Sequence, residues 1–304
     1  MISYLRSTVK RPQIRENVNL SSGSWIRCER PTDDEKNTLL SLGIDEDILH
    51  DALDPHEVPR VETEDGWTYF ITRLPDTDDD FNDFTTPILF AIGRENIATV
   101  SRDPLGRLWQ PFIDNTAIPT TQQTQMLILM LEAITTQYQR RVATINRQMR
   151  AATSDVVSLG SKDIATLTEY ERKLNDYLDA LIPTNSALEK LLGGKLLKLH
   201  EDDRDLVEDL SIDLEQVIAR CKSLLRTITN VRDSYRAVMD TRLNETIRLL
   251  TVITLGLTIP TMIAGLFGMN VDLPGSDWPW MFLAIVLFSL VLASGFGFYF
   301  LKKR

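Results

Sequence analysis

Two long uncharged stretches near the C-terminus constrain the fold of this chain more than any other feature. Residues 249–267 and 279–301 contain no Asp, Glu, Lys or Arg. A helix needs about 20 mainly apolar residues to cross the roughly 30 Å of hydrocarbon in a bilayer. We therefore predict two membrane-spanning helices, joined by a short loop that carries Asp272 and Asp277.

The first of these spans carries a face of small and polar residues. They recur at alternating spacings of three and four, which places them on one side of a helix. They are Thr251, Thr254, Thr258, Thr261 and Gly265, and Asn244 and Ile247 extend the same series toward the N-terminus. Hydroxyl groups in this arrangement suit either a helix that lines a water-filled path or one that packs closely on a neighbour. The spacing leaves both interpretations open.

A path along this face would be polar but uncharged. Asn244 would mark its cytoplasmic end. If several identical chains surround the path, their Asn270 side chains would form a ring of amides at its outer mouth. Ile247 and Leu250 are the apolar residues that could close the path by excluding water. Because neither span contains a carboxylate, a cation would not be held so tightly that it could not leave.

The flanking charges predict the orientation of the two spans. Arg242, Arg248 and the terminal 302–304 segment are basic, whereas the loop between the spans has no Lys or Arg. The positive-inside rule then places both termini in the cytoplasm and the loop outside. The first thirty residues lack an apolar segment of signal-peptide length, so we expect most of the chain to stay in the cytosol, attached to the cytoplasmic membrane.

Composition excludes several other classes of protein. A net charge of −10 argues against a nucleic-acid partner and is compatible with attracting cations. Cys28 and Cys221 have neither disulfide nor zinc spacing and are predicted to be structural thiols. The three histidines, at 50, 56 and 200, are predicted to be surface or packing residues. No nucleophile–base pair or phosphate loop is visible, so we expect neither an enzyme nor an organic cofactor.

The N-terminal third is predicted to mix strands and helices. Segments 67–74, 87–92 and 96–100 are rich in aromatic and β-branched residues and are typical of strands. A capping-box pattern that begins at Thr32 predicts a helix, and a second short helix is expected over 46–53. The acidic run Asp76–Asp80 is typical of a solvated loop, with weak metal binding as the alternative.

Long helices follow from about residue 120. We predict helices over 120–157, over 162–182 with an end at Pro183, and over 185–192. A longer helix then carries nine apolar residues at strict spacings of four and three, typical of a heptad seam. They are Leu210, Leu214, Val217, Cys221, Leu224, Ile228, Val231, Tyr235 and Val238.

This seam continues into the first span without a helix breaker before Pro260. We therefore predict one helix over 203–267, about 98 Å long at ~1.5 Å per residue. Such a helix must bury its seam against copies of itself or against the helices that precede it. We therefore predict three domains, an α/β domain over 1–118, a helical domain over 119–245 and a membrane domain over 246–304.

Two separate motifs resemble the CorA family of divalent-cation channels. The tripeptide Gly268-Met269-Asn270 ends the first of two C-terminal spans, after a long helical region. Residues 49–62 are also similar to a segment of the CorA cytoplasmic domain, in which a short acidic helix end leads through a Pro-basic-x-acidic turn into a strand.

The resemblance implies a fold and a function. It implies an α+β cytoplasmic domain followed by a long stalk helix and two C-terminal transmembrane helices, in a funnel-shaped homopentamer. It implies a magnesium channel that also passes Co²⁺ and Ni²⁺, whose partners are its own copies, the lipid bilayer and divalent cations. Gly268, Met269 and Asn270 would select hydrated Mg²⁺.

The resemblance also implies that intracellular Mg²⁺ closes the channel. A carboxylate of a short N-terminal helix would face one on the stalk helix of a neighbouring copy, and the matching positions are Asp51 and Asp209. The many acidic residues near 201–215 have a simpler interpretation, as favourable charge at a helix N-terminus.

Two alternative functions stay open at this point. The loop over 271–277 departs from the Met-Pro-Glu-Leu-like loop of many members, which leaves a zinc-transporting branch of the same superfamily as one alternative. A membrane-anchored coiled-coil sensor that transports nothing is the other.

Overall fold

The chain forms two compact units, residues 1–231 and residues 232–304. The computed structural model describes residues 1–77, 83–115, 118–153, 159–194, 196–197, 199–269 and 279–302. The three-part division expected from the sequence stays a prediction.

The first unit contains a seven-stranded sheet. Its strands are β1 (Ile2–Thr8), β2 (Arg11–Asn17), β3 (Trp25–Glu29), β4 (Arg60–Glu64), β5 (Trp67–Thr77), β6 (Asp83–Ile92) and β7 (Ile97–Ser101). Their order across the sheet is β2-β1-β3-β7-β6-β5-β4. Neighbouring strands are antiparallel except β3 and β7, which are parallel.

The three strands predicted from residue type are confirmed as β5, β6 and β7. No strand is predicted before residue 60 from the sequence, although β1, β2 and β3 lie there. In β1 the inward-facing residues are Ser3, Leu5 and Ser7, so the hydrophobic alternation is weak. The buried Ser7 hydroxyl is satisfied by hydrogen bonds: it donates to the Ile118 carbonyl at 2.9 Å and accepts from the Thr120 N–H at 2.9 Å.

The central strands of the sheet are buried on both faces, since residues that alternate along them enter two different cores. Phe70 and Phe90 face a large core that also contains side chains of the later helices. Ile71 and Leu89 face a smaller core formed with two short helices, α1 (Asp33–Ser41) and α2 (Glu46–Asp51).

The predicted capping box at the start of α1 is confirmed. The Glu35 N–H donates to the Thr32 hydroxyl oxygen at 3.4 Å, and the Thr32 N–H donates to the Glu35 carboxylate at 2.9 Å. The hydrogen bond from the Thr32 N–H to the Glu35 carboxylate is the main reason that the pKa of Glu35 is lowered. The two reciprocal bonds satisfy donors that a helix start otherwise leaves without partners.

The described residues contain five further helices. They are α3 (Gly106–Asn115), α4 (Gln123–Ala152), α5 (Ser161–Leu192), α6 (Glu201–Phe267) and α7 (Met281–Lys302). Helix α3, a short helix with an internal proline, Pro111, is not predicted from the sequence. The single long helix predicted over 203–267 is confirmed as α6.

The predicted helix end at Pro183 is wrong, because α5 continues through this residue. Proline removes one backbone donor and crowds the preceding turn. Apolar residues on both sides of it, Leu181 before and Leu188 after, are buried in the same core and hold the helix together. The Thr184 hydroxyl also donates to the Ala180 carbonyl at 2.7 Å.

The seam on α6 packs against earlier helices over its first six positions. Leu210, Leu214, Val217, Cys221, Leu224 and Ile228 are buried in the large core, which includes residues of α4 and α5. Within that contact the Ser211 hydroxyl donates to the Asn185 side-chain oxygen at 2.8 Å. The remaining seam residues, Val231, Tyr235 and Val238, are only half-buried.

The second unit contains the remainder of α6 and all of α7. Both helices are long and apolar enough to cross a membrane, with mean hydropathies of 2.0 for the apolar part of α6 and 2.4 for Met281–Tyr299. Almost none of either apolar segment is buried inside the chain. This exposure is expected of helices that contact lipid or neighbouring subunits. The two apolar helices agree with the two membrane spans predicted from the sequence.

Burial shields both cysteines, which leads to a test of the fold. Cys28 and Cys221 are fully buried, and burial raises the pKa of each thiol to about 12. Because the thiolate is the reactive form, we expect almost no labelling by iodoacetamide at pH 8 in the folded protein, and labelling of both residues after denaturation. Mass spectrometry of the labelled chain measures this, and rapid native labelling of either cysteine would contradict the packing.

Candidate functional site

The threonine face of α6 is exposed within the chain. Thr251, Thr254, Thr258 and Thr261, which define this face, are all exposed. Each hydroxyl donates a hydrogen bond of 2.8 Å to the backbone carbonyl four residues earlier. The proton of each hydroxyl is therefore used within the helix, and the oxygen lone pairs remain as acceptors that point away from it.

A different face of α6 carries the contact with α7. Val252 is buried, and a Cβ atom added to Gly297 of α7 would lie 4.0 Å from its side chain. Gly256, Ile259 and Ile263 continue this face and are half-buried. Because each residue advances about 100° around a helix, this face lies roughly opposite the threonine face. The α7 of the same chain therefore leaves the threonines uncovered.

The threonine face continues toward the N-terminus through exposed residues. Asn244 is exposed, as are Ile247 at 52% and Leu250 at 63% of their surface. Leucine and isoleucine side chains so exposed in a single chain need lipid or another chain to cover them.

Helix α6 ends immediately before the Gly268-Met269-Asn270 tripeptide, and the structure describes the first two residues of the tripeptide. The helix ends at Phe267, and the Gly268 N–H donates to the Ala264 carbonyl at 3.0 Å. A Cβ atom on Gly268 would lie 3.2 Å from that same carbonyl oxygen, which favours glycine here. Met269 is exposed, and Asn270 lies outside the described residues.

Asp51, the first predicted regulatory carboxylate, is the last residue of α2 and is bound to an arginine. The Arg60 guanidinium donates to Asp51 Oδ2 at 2.7 Å and to Glu62 Oε1 at 3.0 Å, and it also contacts the Glu57 carboxylate. Arg60 is not among the residues predicted from the sequence, although it is the basic residue of the Pro-basic-x-acidic turn.

Asp209, the second predicted regulatory residue, lies on the exposed side of α6. Its neighbours Val207 and Leu210 are buried on the opposite side of the helix, so the carboxylate is directed away from the core. Among the described residues, no three His, Cys, Asp or Glu side chains converge closely enough to hold a metal ion. His50, His56 and His200 are all exposed, and Asp78–Asp80 of the acidic run lie outside the described residues.

Comparison with known proteins shows a family match over most of the chain. The family model for CorA-like Mg²⁺ transporter proteins matches residues 21–304. The cobalt/magnesium transport protein CorA of Methanocaldococcus jannaschii is 25% identical over 281 residues, 88% of this chain and 87% of the relative. A protein of the same description from Thermotoga maritima is 20% identical over 293 residues, 93% of this chain and 84% of the relative.

Two further matches bear on the fold and on the alternative cargo. The complete structure of the M. jannaschii CorA magnesium transporter has a TM-score of 0.87 at 21% identity, covering 100% of this chain and 98% of that one. It has the same fold, with an N-terminal α/β domain, a long helix and a C-terminal pair of apolar helices. The zinc transport protein ZntB of Pectobacterium carotovorum is 22% identical over only 125 residues, 41% of this chain and 38% of the relative.

Cysteine labelling tests whether the threonine face meets water. In proteoliposomes we expect a positively charged, membrane-impermeant methanethiosulfonate reagent to label Thr258→Cys, because an open polar path would admit it. Ile253→Cys is the matched control, since Ile253 is also exposed, at 50%, but lies on another side of α6. The native cysteines are buried and add little background. Equal reactivity at both positions would argue against a water-filled path along the threonines.

Proposed function

This chain belongs to the CorA-like Mg²⁺ transporter family, and from this premise we propose that it is a homopentameric channel that carries hydrated Mg²⁺ into the cytoplasm. The proposed channel lies in the cytoplasmic membrane with both termini inside, and it also passes Co²⁺ and Ni²⁺. The observation that carries the proposal is the threonine face of α6, exposed and turned away from α7. The names of the two full-length relatives, cobalt/magnesium transport proteins, support the choice of ions.

The threonine hydroxyls suit a cation that keeps its water shell. Mg²⁺ sheds its waters reluctantly, and those waters present hydrogen atoms outward. Because each threonine proton is already donated to the backbone, its oxygen is left to accept from such a water. The ion would thus be held through its outer waters and would pass without losing them.

A ring of identical chains turns one polar face into a tube. Identical subunits that meet through two different surfaces close into rings when the rotation permits. In the proposed pentamer, residues 1–118 form the α/β domain, 119–245 the helical domain and 246–304 the membrane domain. The exposed apolar residues of α6 and α7 would be covered by lipid and by neighbouring copies.

The membrane potential would drive the ion inward. Moving one elementary charge across 100 mV is worth about 2.3 kcal/mol, so a divalent ion gains about twice that. No charged side chain lies in residues 249–267, so nothing in this segment binds the ion strongly enough to offset the gain.

Selection and closure are assigned to the two ends of the threonine face. Gly268, Met269 and Asn270 would select the hydrated ion at the outer mouth through backbone and amide oxygens. Ile247 and Leu250 would form the apolar constriction near the cytoplasmic end, just beyond Asn244. A narrow ring of such side chains stops ions by losing its water.

Regulation is assigned to Asp51 and Asp209 on adjacent subunits. Since three acidic or histidine ligands do not converge in the described part of a single chain, a site with both carboxylates would be completed by a second copy. Mg²⁺ bound there would offset the repulsion between them and stabilise the closed state, which is the differential binding that shifts an equilibrium.

Zinc is the alternative cargo. The ZntB relative and the divergent loop over 271–277 favour it. That relative matches less than half of this chain, whereas both cobalt/magnesium relatives match most of it. Magnesium is therefore the better-supported ion.

Uptake by proteoliposomes tests the channel and its selectivity. We expect uptake of Mg²⁺ by the wild type and a loss of roughly tenfold or more in Asn270→Ala, since a hydrogen bond to a charged group is worth about 1.5–3 kcal/mol. A fluorescent Mg²⁺ indicator inside the vesicles measures the initial rate.

The same vesicles distinguish the two cargoes. Zn²⁺ uptake in parallel, with a zinc indicator, identifies the alternative if Zn²⁺ enters and Mg²⁺ does not. Asn230→Ala, on α6 in the first unit, is the matched amide control and is expected to retain the wild-type rate. Full uptake by Asn270→Ala would reject the assigned role of that residue.

Closure by Mg²⁺ is tested on Asp209. We expect Asp209→Ala channels in planar bilayers to keep conducting at millimolar Mg²⁺ on the cytoplasmic side, because one of the two proposed ligands is gone. Thr229→Ala, an exposed substitution further along α6, serves as the control and should close normally. Normal closure of Asp209→Ala would remove that residue from the proposed site.

A further inference from the structure

Arg60 lies at the centre of an acidic group that includes the proposed regulatory residue Asp51. The arginine opens strand β4, and its guanidinium pairs with Asp51 Oδ2 at 2.7 Å, with Glu62 Oε1 at 3.0 Å and with Glu57. The three carboxylates come from the end of α2, the loop that follows it and the strand itself. We call these four residues the Arg60 cluster.

The Arg60 cluster keeps an excess of negative charge, because three carboxylates share one guanidinium. Its members are only partly exposed, with 30% of the Arg60 side chain, 42% of Asp51 and 15% of Glu57 accessible. Partial burial reduces the screening of the arginine charge by water and salt. The positive charge of Arg60 is therefore felt at Asp51, where a divalent cation would have to bind.

We propose that Arg60 sets the cytoplasmic Mg²⁺ concentration at which the channel closes, as a resident counter-charge that competes with Mg²⁺ for Asp51. The inference rests on the proposed function and adds to it a residue that the regulatory pair itself does not include. Arg60 occupies Oδ2 of Asp51 and lowers the attraction of the carboxylate for a second cation. Mg²⁺ must then reach a higher concentration before the closed state is favoured.

The planar guanidinium is suited to this position. It presents donors in several directions in one plane, so it can pair with three carboxylates from different elements at once. Lysine carries the same charge on a compact ammonium group and cannot reproduce that geometry. Arg60→Lys should therefore keep part of the effect, whereas Arg60→Gln should lose it.

Planar-bilayer currents with Mg²⁺ varied on the cytoplasmic side test the proposal. We expect Arg60→Gln to lower the Mg²⁺ concentration of half-closure by roughly tenfold or more, because removing one charge about 5 Å from a divalent ion changes its binding free energy by more than about 1.4 kcal/mol even at the dielectric constant of water. Arg60→Lys is expected to shift it less, in the same direction. The shift should shrink in high salt.

A matched control separates this local effect from a change in total charge. Arg147→Gln removes the same charge from an exposed position on α4, a helix that packs on the opposite face of the sheet from α2. It should leave the half-closure concentration unchanged. Thermal unfolding in EDTA shows whether each variant is folded, and if Arg60→Gln is not, the smaller shift of Arg60→Lys still decides the result.

The double variant identifies Asp51 as the residue through which Arg60 acts. Asp51→Asn removes a proposed ligand and should itself raise the half-closure concentration above the millimolar range. Measured over that higher range, the addition of Arg60→Gln should produce no further shift, because the partner carboxylate is gone. An unchanged half-closure concentration in Arg60→Gln, or an equal shift with and without Asp51, overturns the proposal. Absence of any Mg²⁺ current in the wild type would instead reject the proposed function.

Discussion

The packing of the α6 seam against α4 and α5 is the interaction on which the first unit depends. Six seam residues, from Leu210 to Ile228, are buried in one continuous core with those helices and one face of the sheet. Full burial of one aliphatic side chain contributes about 1.5–3 kcal/mol. This contact also fixes the rotation of α6 about its axis, so that Asp209 is directed outward.

The same rule, that one face of a helix is covered and another is left open, recurs in the second unit. Val252 is buried close to Gly297 of α7, and the residues in line with it are half-buried, while the threonines stay exposed. A lipid-facing helix gains nothing from hydroxyl groups, whereas a water-filled path needs hydrogen-bonding atoms. The proposed ion path therefore follows from which side of α6 the chain leaves uncovered.

In the first unit, Arg60 partly neutralises the charge of Asp51. Asp51 is neither free nor deeply buried, because Arg60 holds one of its oxygens and leaves the side chain partly accessible. A carboxylate already paired with a cation binds a second cation less tightly than a free one. In the proposed channel this pairing would keep the regulatory site responsive at higher cytoplasmic Mg²⁺.

The sequence alone determined the features that depend on short windows of residues. The two uncharged spans, the continuity of α6, the capping box at Thr32 and the strands β5 to β7 follow from local periodicity and from the thickness of hydrocarbon. The tertiary structure decided the rest. It made β1 a strand through buried serines, carried α5 through Pro183, covered one side of α6 and placed Arg60 against Asp51. These outcomes depend on contacts between residues far apart in the chain or on the packing around them, which no local pattern records.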